Sequence, residues 1–221
     1  MNTKSLISSG LPTLSLLDTG DRAMSLMNEY RVFHLPLVDR DNYLALISED
    51  DLLDWDTPEE PLSYAEFINF RPAVVDQMHP FEAIKVVKEF NLSLLPVVNE
   101  HNHFVGVVTM EGLFSFMADQ KGIKDVGGIF VLEMEERNYS LSEIARICES
   151  NDISIVSVHI KTVDEFGLQW VTVKTNKTDL QAVLATFERY NYTIVDMFSN
   201  DKQQELDLQQ NYNMLMRYIN L

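Results

Sequence analysis

Cysteine occurs once in 221 residues, which excludes an intrachain disulfide and a cysteine-based zinc cage. Cys148 itself sits in Ala145-Arg146-Ile147-Cys148, which reads as the inner face of a helix, and the compartment expected is a reducing cytoplasm. Basic residues are scarce: 17 Lys and Arg against 34 Asp and Glu leave a net charge of −17, a field that repels phosphate backbones, so nucleic acid is not an expected partner. No apolar run reaches the roughly 18 residues needed to cross a bilayer, and the first nine residues lack a long apolar middle, so no membrane association is expected. The patterns GxSxG, P-loop, HExxH and CxxC are all missing, and the reading is a non-enzyme that requires no cofactor. What is abundant is core material: 46% hydrophobic residues suffice for one large domain or two small ones.

An internal repeat organises the first half. Leu35-Pro36-Leu37-Val38 recurs as Leu95-Pro96-Val97-Val98, offset by 60 residues. Upstream of each, apolar residues recur at helical spacing: Ala23, Leu26, Met27 and Tyr30 in the first copy, Ala83, Val86, Val87 and Phe90 in the second. Downstream, polar turns at 39–42 and 99–102 precede short apolar strands at 43–47 and 104–108. Each strand ends in a hydroxyl residue, Ser48 or Thr109, where a second helix starts. With first strands at 13–17 and 73–75, each copy reads as strand, helix, strand, turn, strand, helix. A unit of about 50 residues buries too little surface alone. Two copies should therefore pack about a pseudo-twofold axis and leave a pair of clefts where they meet.

This pattern resembles a tandem pair of CBS (cystathionine-beta-synthase) domains, the Bateman module, over repeat 1 at about 1–57 and repeat 2 at about 61–120. The resemblance rests on His34-Leu35-Pro36-Leu37-Val38 with Ala45-Leu46-Ile47-Ser48-Glu49-Asp50-Asp51, and on Leu94-Leu95-Pro96-Val97-Val98 with Gly106-Val107-Val108-Thr109-Met110-Glu111-Gly112. It implies a sensor of adenine nucleotides or related ligands, AMP, ADP, ATP or S-adenosylmethionine, in which a glycine, a hydroxyl and an Asp three residues later line the ligand. Ser48 and Asp51 match the hydroxyl and the carboxylate in the first copy, where Ala45 replaces the glycine. Gly106 and Thr109 match in the second, where Gly112 stands in the Asp position. Read as chemistry, Ser48 followed by Asp51 is also close to a capping box, and capping of the helix without a ligand is the preferred reading. Seven carboxylates at positions 49–60, without a Lys or Arg, disfavour a triphosphate there and leave a nucleoside or low-charge adenosine compound as the expected ligand. His101 and His103 are a conceivable metal pair without a visible third ligand, so an exposed turn is the preferred reading and no metal site is assigned.

Residues 119–128 are polar, hold three glycines and read as a linker. The pattern beyond is βαββαβ: a strand at 129–134, a helix carrying Leu141, Ile144, Ala145 and Cys148, a strand at 153–161 that changes face, its hairpin partner at 168–175, a helix at 179–190 and a strand at 192–198. The fold class expected is thus mixed α/β, a tandem CBS pair followed by a ferredoxin-like βαββαβ domain at 128–198. That domain resembles an ACT domain, whose amino-acid-binding loop would fall at Asn138, Tyr139 and Ser140, with Tyr139 where backbone approach would be needed. Leu208, Tyr212, Leu215 and Ile219 mark an amphipathic helix at 201–221, docked on its own subunit or clasping a partner chain. The combination is similar to bacterial acetoin-utilisation-type regulatory proteins. It implies a homodimeric regulatory sensor with an unidentified protein target, or, from the other class of function, a ligand-free assembly adaptor.

Overall fold

The computed structural model describes residues 2–164 and 167–199, in two compact units, 1–117 and 118–221. In the first unit, the helix α1 (Gly20–Tyr30) starts where the Thr19 side chain accepts a hydrogen bond from Arg22 N at 3.2 Å, and it buries Ala23, Leu26 and Met27. It ends at Arg31, which takes a left-handed conformation (φ 56°) and returns its N–H to the Met27 carbonyl. The hairpin β1 (His34–Asp39) and β2 (Asn42–Ser48) follows, then the short helix α2 (Glu49–Leu53). The second copy runs through β3 (Val74–Val75), α3 (Pro80–Phe90), β4 (Leu94–Val98), β5 (Phe104–Thr109) and α4 (Met110–Gln120).

The two copies agree in detail. α3 is capped by the His79 side chain, carries Pro80 at its first position, buries Ala83 and Val87, and ends at left-handed Asn91 (φ 52°). Both hairpins are antiparallel, and both slip register at the same place, between Leu37 and Val38 and between Val97 and Val98. Val74 pairs in parallel with Val97, as Leu14 does with Leu37. The first copy's expected strand at 13–17 is reduced to that single bridge. Asp18 accepts from Ser15 N at 2.7 Å and from Ser15 Oγ at 2.8 Å, and this turn bends the chain away from β1.

The repeats share one core, in which Leu35, Leu37 and Ile47 belong to the same buried cluster as Leu95, Val97 and Val108. Backbone segments also cross over. Thr3 N donates to Met78 O, Lys4 N to Asp76 O and Ser8 N to Val107 O, so the chain start pairs with the second copy. Leu62 N donates to Asp18 O, Ser63 N to Leu16 O and Leu46 N to Phe70 O, so residues 61–70 serve the first.

The second unit begins in α4, which runs to Gln120 and thus takes up the first two positions of the expected linker; turns fill 121–125. Its strands β6 (Ile129–Glu135), β7 (Ile155–Thr162), β8 (Leu168–Thr175) and β9 (Thr193–Phe198) form one antiparallel sheet in the order β7-β8-β6-β9, with α5 (Leu141–Glu149) and α6 (Gln181–Arg189) between them in sequence. This is the ferredoxin-like order. Phe130, Leu132, Ile144, Cys148, Val171, Val173, Val183 and Phe187 make its core. The change of face in β7 is a register slip between Ile155 and Ser157. Gly127 permits a close backbone crossing, because a Cβ there would lie 1.7 Å from the Thr175 carbonyl oxygen. The amphipathic pattern at 201–221 lies outside the described residues.

Candidate functional site

Ser48 and Asp51 are engaged with each other. Asp51 Oδ2 accepts from Ser48 N at 3.0 Å and from Ser48 Oγ at 2.6 Å, while Ser48 Oγ accepts from Asp51 N at 3.1 Å. Both halves of a capping box are present at the start of α2, so the pair satisfies the helix. In the second copy Thr109 Oγ1 accepts from Gly112 N at 3.0 Å, a one-sided cap with no carboxylate to return it. Gly106, in an extended conformation with positive φ, lies against the chain start: a Cβ there would fall 2.5 Å from Ile7 Cγ2. Its role in the structure is to admit Ile7.

The two hydroxyls open onto different cavities. Thr109 lines a cleft of about 700 Å³ walled by Ser8 to Leu11, Tyr30 to Phe33, Asn91 to Ser93 and Met110 with Glu111. Ser48 lines one of about 270 Å³ with Phe33, His34, Glu49, Asp50, Phe90 and Asn91. Clefts that hold small ligands span about 300 to 1,000 Å³, so the Thr109 cleft is large enough and the Ser48 cleft is not. Phe90, packed edge-on against Phe70 at 5.3 Å, stands in the wall of the narrow cleft. Charge separates them further. Glu49 and Asp50 make the narrow cleft acidic, whereas the wide one carries one cation, Arg31, and one anion, Glu111. Asp51 instead lines a third groove, with Asp54, Trp55, Asp56, Tyr64, Glu66 and Phe67.

Arg31, Tyr30, Asn91 and Ser93 were not singled out by motif. The signal that marks them is the repeat itself: Arg31 and Asn91 occupy matching left-handed positions after matching helices, which turns both segments toward the line where the copies meet.

His34 is half-buried, and its Nδ1 lies 3.0 Å from Ser93 Oγ and 3.3 Å from Ser93 N. Burial lowers its pKa, opposed by the nearby carboxylates of Asp51 and Asp50. His101 and His103 are exposed, with both backbone N–H groups held at 2.9 Å by Asn99 Oδ1. Among the described residues no three His, Cys, Asp or Glu side chains are grouped to hold a metal ion. Cys148 is buried and free, its thiol pushed up to about 11 by burial.

In the second unit, Glu136–Asn138 form a 3-10 turn and Ser140 caps α5 by accepting from Glu143 N at 3.4 Å. Asn138 borders a cavity of about 490 Å³ with Glu133, Glu135, Glu143, Tyr190 and Tyr192. Tyr192 donates to Glu143 Oε2 at 2.9 Å, and burial followed by this bond pushes its phenol up to about 12. Tyr139 packs on the core instead of lining that cavity.

Matching hairpins, matching helix ends and shared clefts define a duplicated α/β module. A family model, the CBS domain, matches residues 4–57 and 71–119, and the N-terminal unit is a tandem CBS-domain pair. A CBS domain-containing protein of Dictyostelium discoideum is 28% identical over 129 residues, 52% of this chain and 89% of that relative. Two solved structures are also similar. A CBS domain pair/ACT domain protein from Thermotoga maritima is 20% identical with a TM-score of 0.47, covering 54% of this chain and 98% of that one. A candidate acetoin utilization protein, AcuB, from Vibrio cholerae is 22% identical with a TM-score of 0.48, covering 56% and 95%. Among the described residues no helix is long and apolar enough to cross a membrane.

Proposed function

We propose that this chain is a non-catalytic regulatory sensor whose CBS pair takes an adenosine-type ligand in the Thr109 cleft and passes the resulting change in repeat orientation through a homodimer. The observation that carries the reading is the 700 Å³ cleft itself, walled by both repeats and holding one cation beside the first residues of α4. A ligand that touches both walls prefers one relative orientation of the repeats, and that differential affinity is the mechanism. Arg31 is the phosphate partner in this reading, with Thr109 beside it; Met110 N and Gly112 N at the start of α4 are already given to Ser93 O and Thr109 Oγ1. A single arginine suits AMP better than ATP. The ferredoxin-like unit, read as ACT-like, provides assembly surface, and Ser140 of its Asn138–Ser140 loop caps α5.

A thermal-shift panel of adenosine, AMP, ADP, ATP and S-adenosylmethionine, with and without magnesium, tests this. AMP at a hundred times its dissociation constant should stabilise the chain by about 2.7 kcal/mol. Arg31→Gln should weaken the response to AMP more than that to adenosine, and Asp51→Asn should leave the ligand response intact. The second reading, a ligand-free assembly adaptor, is favoured by one observation: neither repeat offers the expected hydroxyl and carboxylate as a free pair, since Ser48 holds Asp51 and Gly112 follows Thr109. Failure of every compound to shift the melting temperature would select it.

A further inference from the structure

We propose that His34 is a proton-sensitive joint between the repeats, which makes ligand affinity in the Thr109 cleft fall as the pH becomes acidic; the inference rests on the ligand reading above. His34 opens β1 of the first repeat, and Ser93 precedes β4 of the second. Ser93 N donates to His34 Nδ1 at 3.3 Å, so Nδ1 must present a lone pair and the ring must be neutral with its proton on Nε2. Ser93 Oγ, 3.0 Å from the same nitrogen, accepts from Phe33 N at 3.1 Å. The joint is wired to both helices that start at the clefts. Ser93 O accepts from Met110 N at 3.1 Å, next to Thr109, and Phe33 O accepts from Glu49 N at 2.9 Å, next to Ser48.

A proton on Nδ1 turns an acceptor into a donor: the Ser93 N–H bond at 3.3 Å is lost, and the ring turns to Ser93 Oγ, 3.0 Å away, as its acceptor. Protonation thus exchanges one contact across the joint for another and shifts the ring relative to the Ser93 backbone. The titratable groups facing His34 are the carboxylates of Glu49, Asp50 and Asp51 at the start of α2; the opposite wall supplies Phe90, Asn91 and Ser93, none of which titrates. Burial outweighs the carboxylates and holds the folded-state pKa below 6.5. The sign follows. The neutral ring's contribution is fully present above 6.5, and it is lost as the pH falls through the lowered folded-state value. A ligand seated against both repeats favours the closed joint, so ligand and proton compete, and by linkage the ligand lowers the His34 pKa in turn.

The test uses the full chain, AMP as the probe, calorimetry at pH 7.5 and 5.5, and histidine NMR titration. His34→Asn keeps an acceptor at the Nδ1 position without titrating, and His34→Leu removes it. AMP also titrates, its phosphate near 6, so the readout is the difference between wild type and His34→Asn. Between the two pH values wild type should lose about threefold to tenfold more affinity than His34→Asn, the worth of one hydrogen bond. His34→Leu should bind weakly at both, and AMP should shift the His34 titration to lower pH. Parallel pH slopes for wild type and His34→Asn, or a His34 titration that AMP leaves unmoved, overturn the joint while the ligand reading stands. If AMP binds at neither pH the ligand reading falls, and the coupling to ligand affinity falls with it.

Discussion

The capping box of α2 offers the sharpest test of how this chain departs from a ribose-reading site. Ser48→Ala removes the acceptor of Asp51 N, and Asp51→Ala removes the oxygen that takes both Ser48 N at 3.0 Å and Ser48 Oγ at 2.6 Å. Loss of an N-cap hydroxyl costs about 0.5 to 2 kcal/mol, and this pair is part-buried, so each single change should destabilise the N-terminal unit by about 1 kcal/mol. Because the two changes share the Ser48 Oγ–Asp51 Oδ2 bond, the double variant should cost less than the sum of the singles by the worth of that one bond. For a unit of this size, 1 kcal/mol corresponds to a shift of about 4 °C in melting temperature. The assay is urea unfolding followed through Trp55, which packs edge-on against Phe67 in the same unit. Additive losses would refute the shared-bond account. Full stability of Asp51→Ala together with abolished AMP binding would refute it more deeply, because the carboxylate would then be serving ligand and not helix.

Other outcomes follow from buried geometry. Gly127→Ala would place a carbon 1.7 Å from the Thr175 carbonyl, so the second unit should lose several °C of melting temperature while the AMP response of the first persists. Tyr43 is 3% exposed and donates to Pro72 O at 2.9 Å; Tyr43→Phe leaves that acceptor unmatched and should cost about 1 kcal/mol by chemical denaturation. With its thiol pushed up to about 11, Cys148 should react with iodoacetamide at pH 8 far more slowly in the native protein than in urea; equal rates would contradict its burial.

Much of the fold was legible because it is written twice. The shared proline, the apolar stripes and the hydroxyls at strand ends each constrained one copy by the other, and the face change in β7 was visible in the shift of apolar parity from Ile153 and Ile155 to Val156 and Val158. The strand at 13–17 was overread because alternation does not reveal that Asp18 will hold Ser15 in a turn. The site was harder to read. Spacing places Ser48 and Asp51 on one helical turn, but it cannot say whether they face a cavity or each other, and a three-residue separation satisfies both. The walls of the wide cleft come from segments some 60 residues apart, joined only once α1 and α3 have ended in the left-handed turns at Arg31 and Asn91.

The exchange of backbone segments alters what counts as half of this molecule. Residues 3–8 complete the second repeat and residues 61–70 complete the first, so severing the chain near position 60 would leave each fragment carrying a strap that belongs to its sister. Neither piece would be a self-sufficient ancestor-like unit. Co-expressed fragments should fold only as a laced heterodimer.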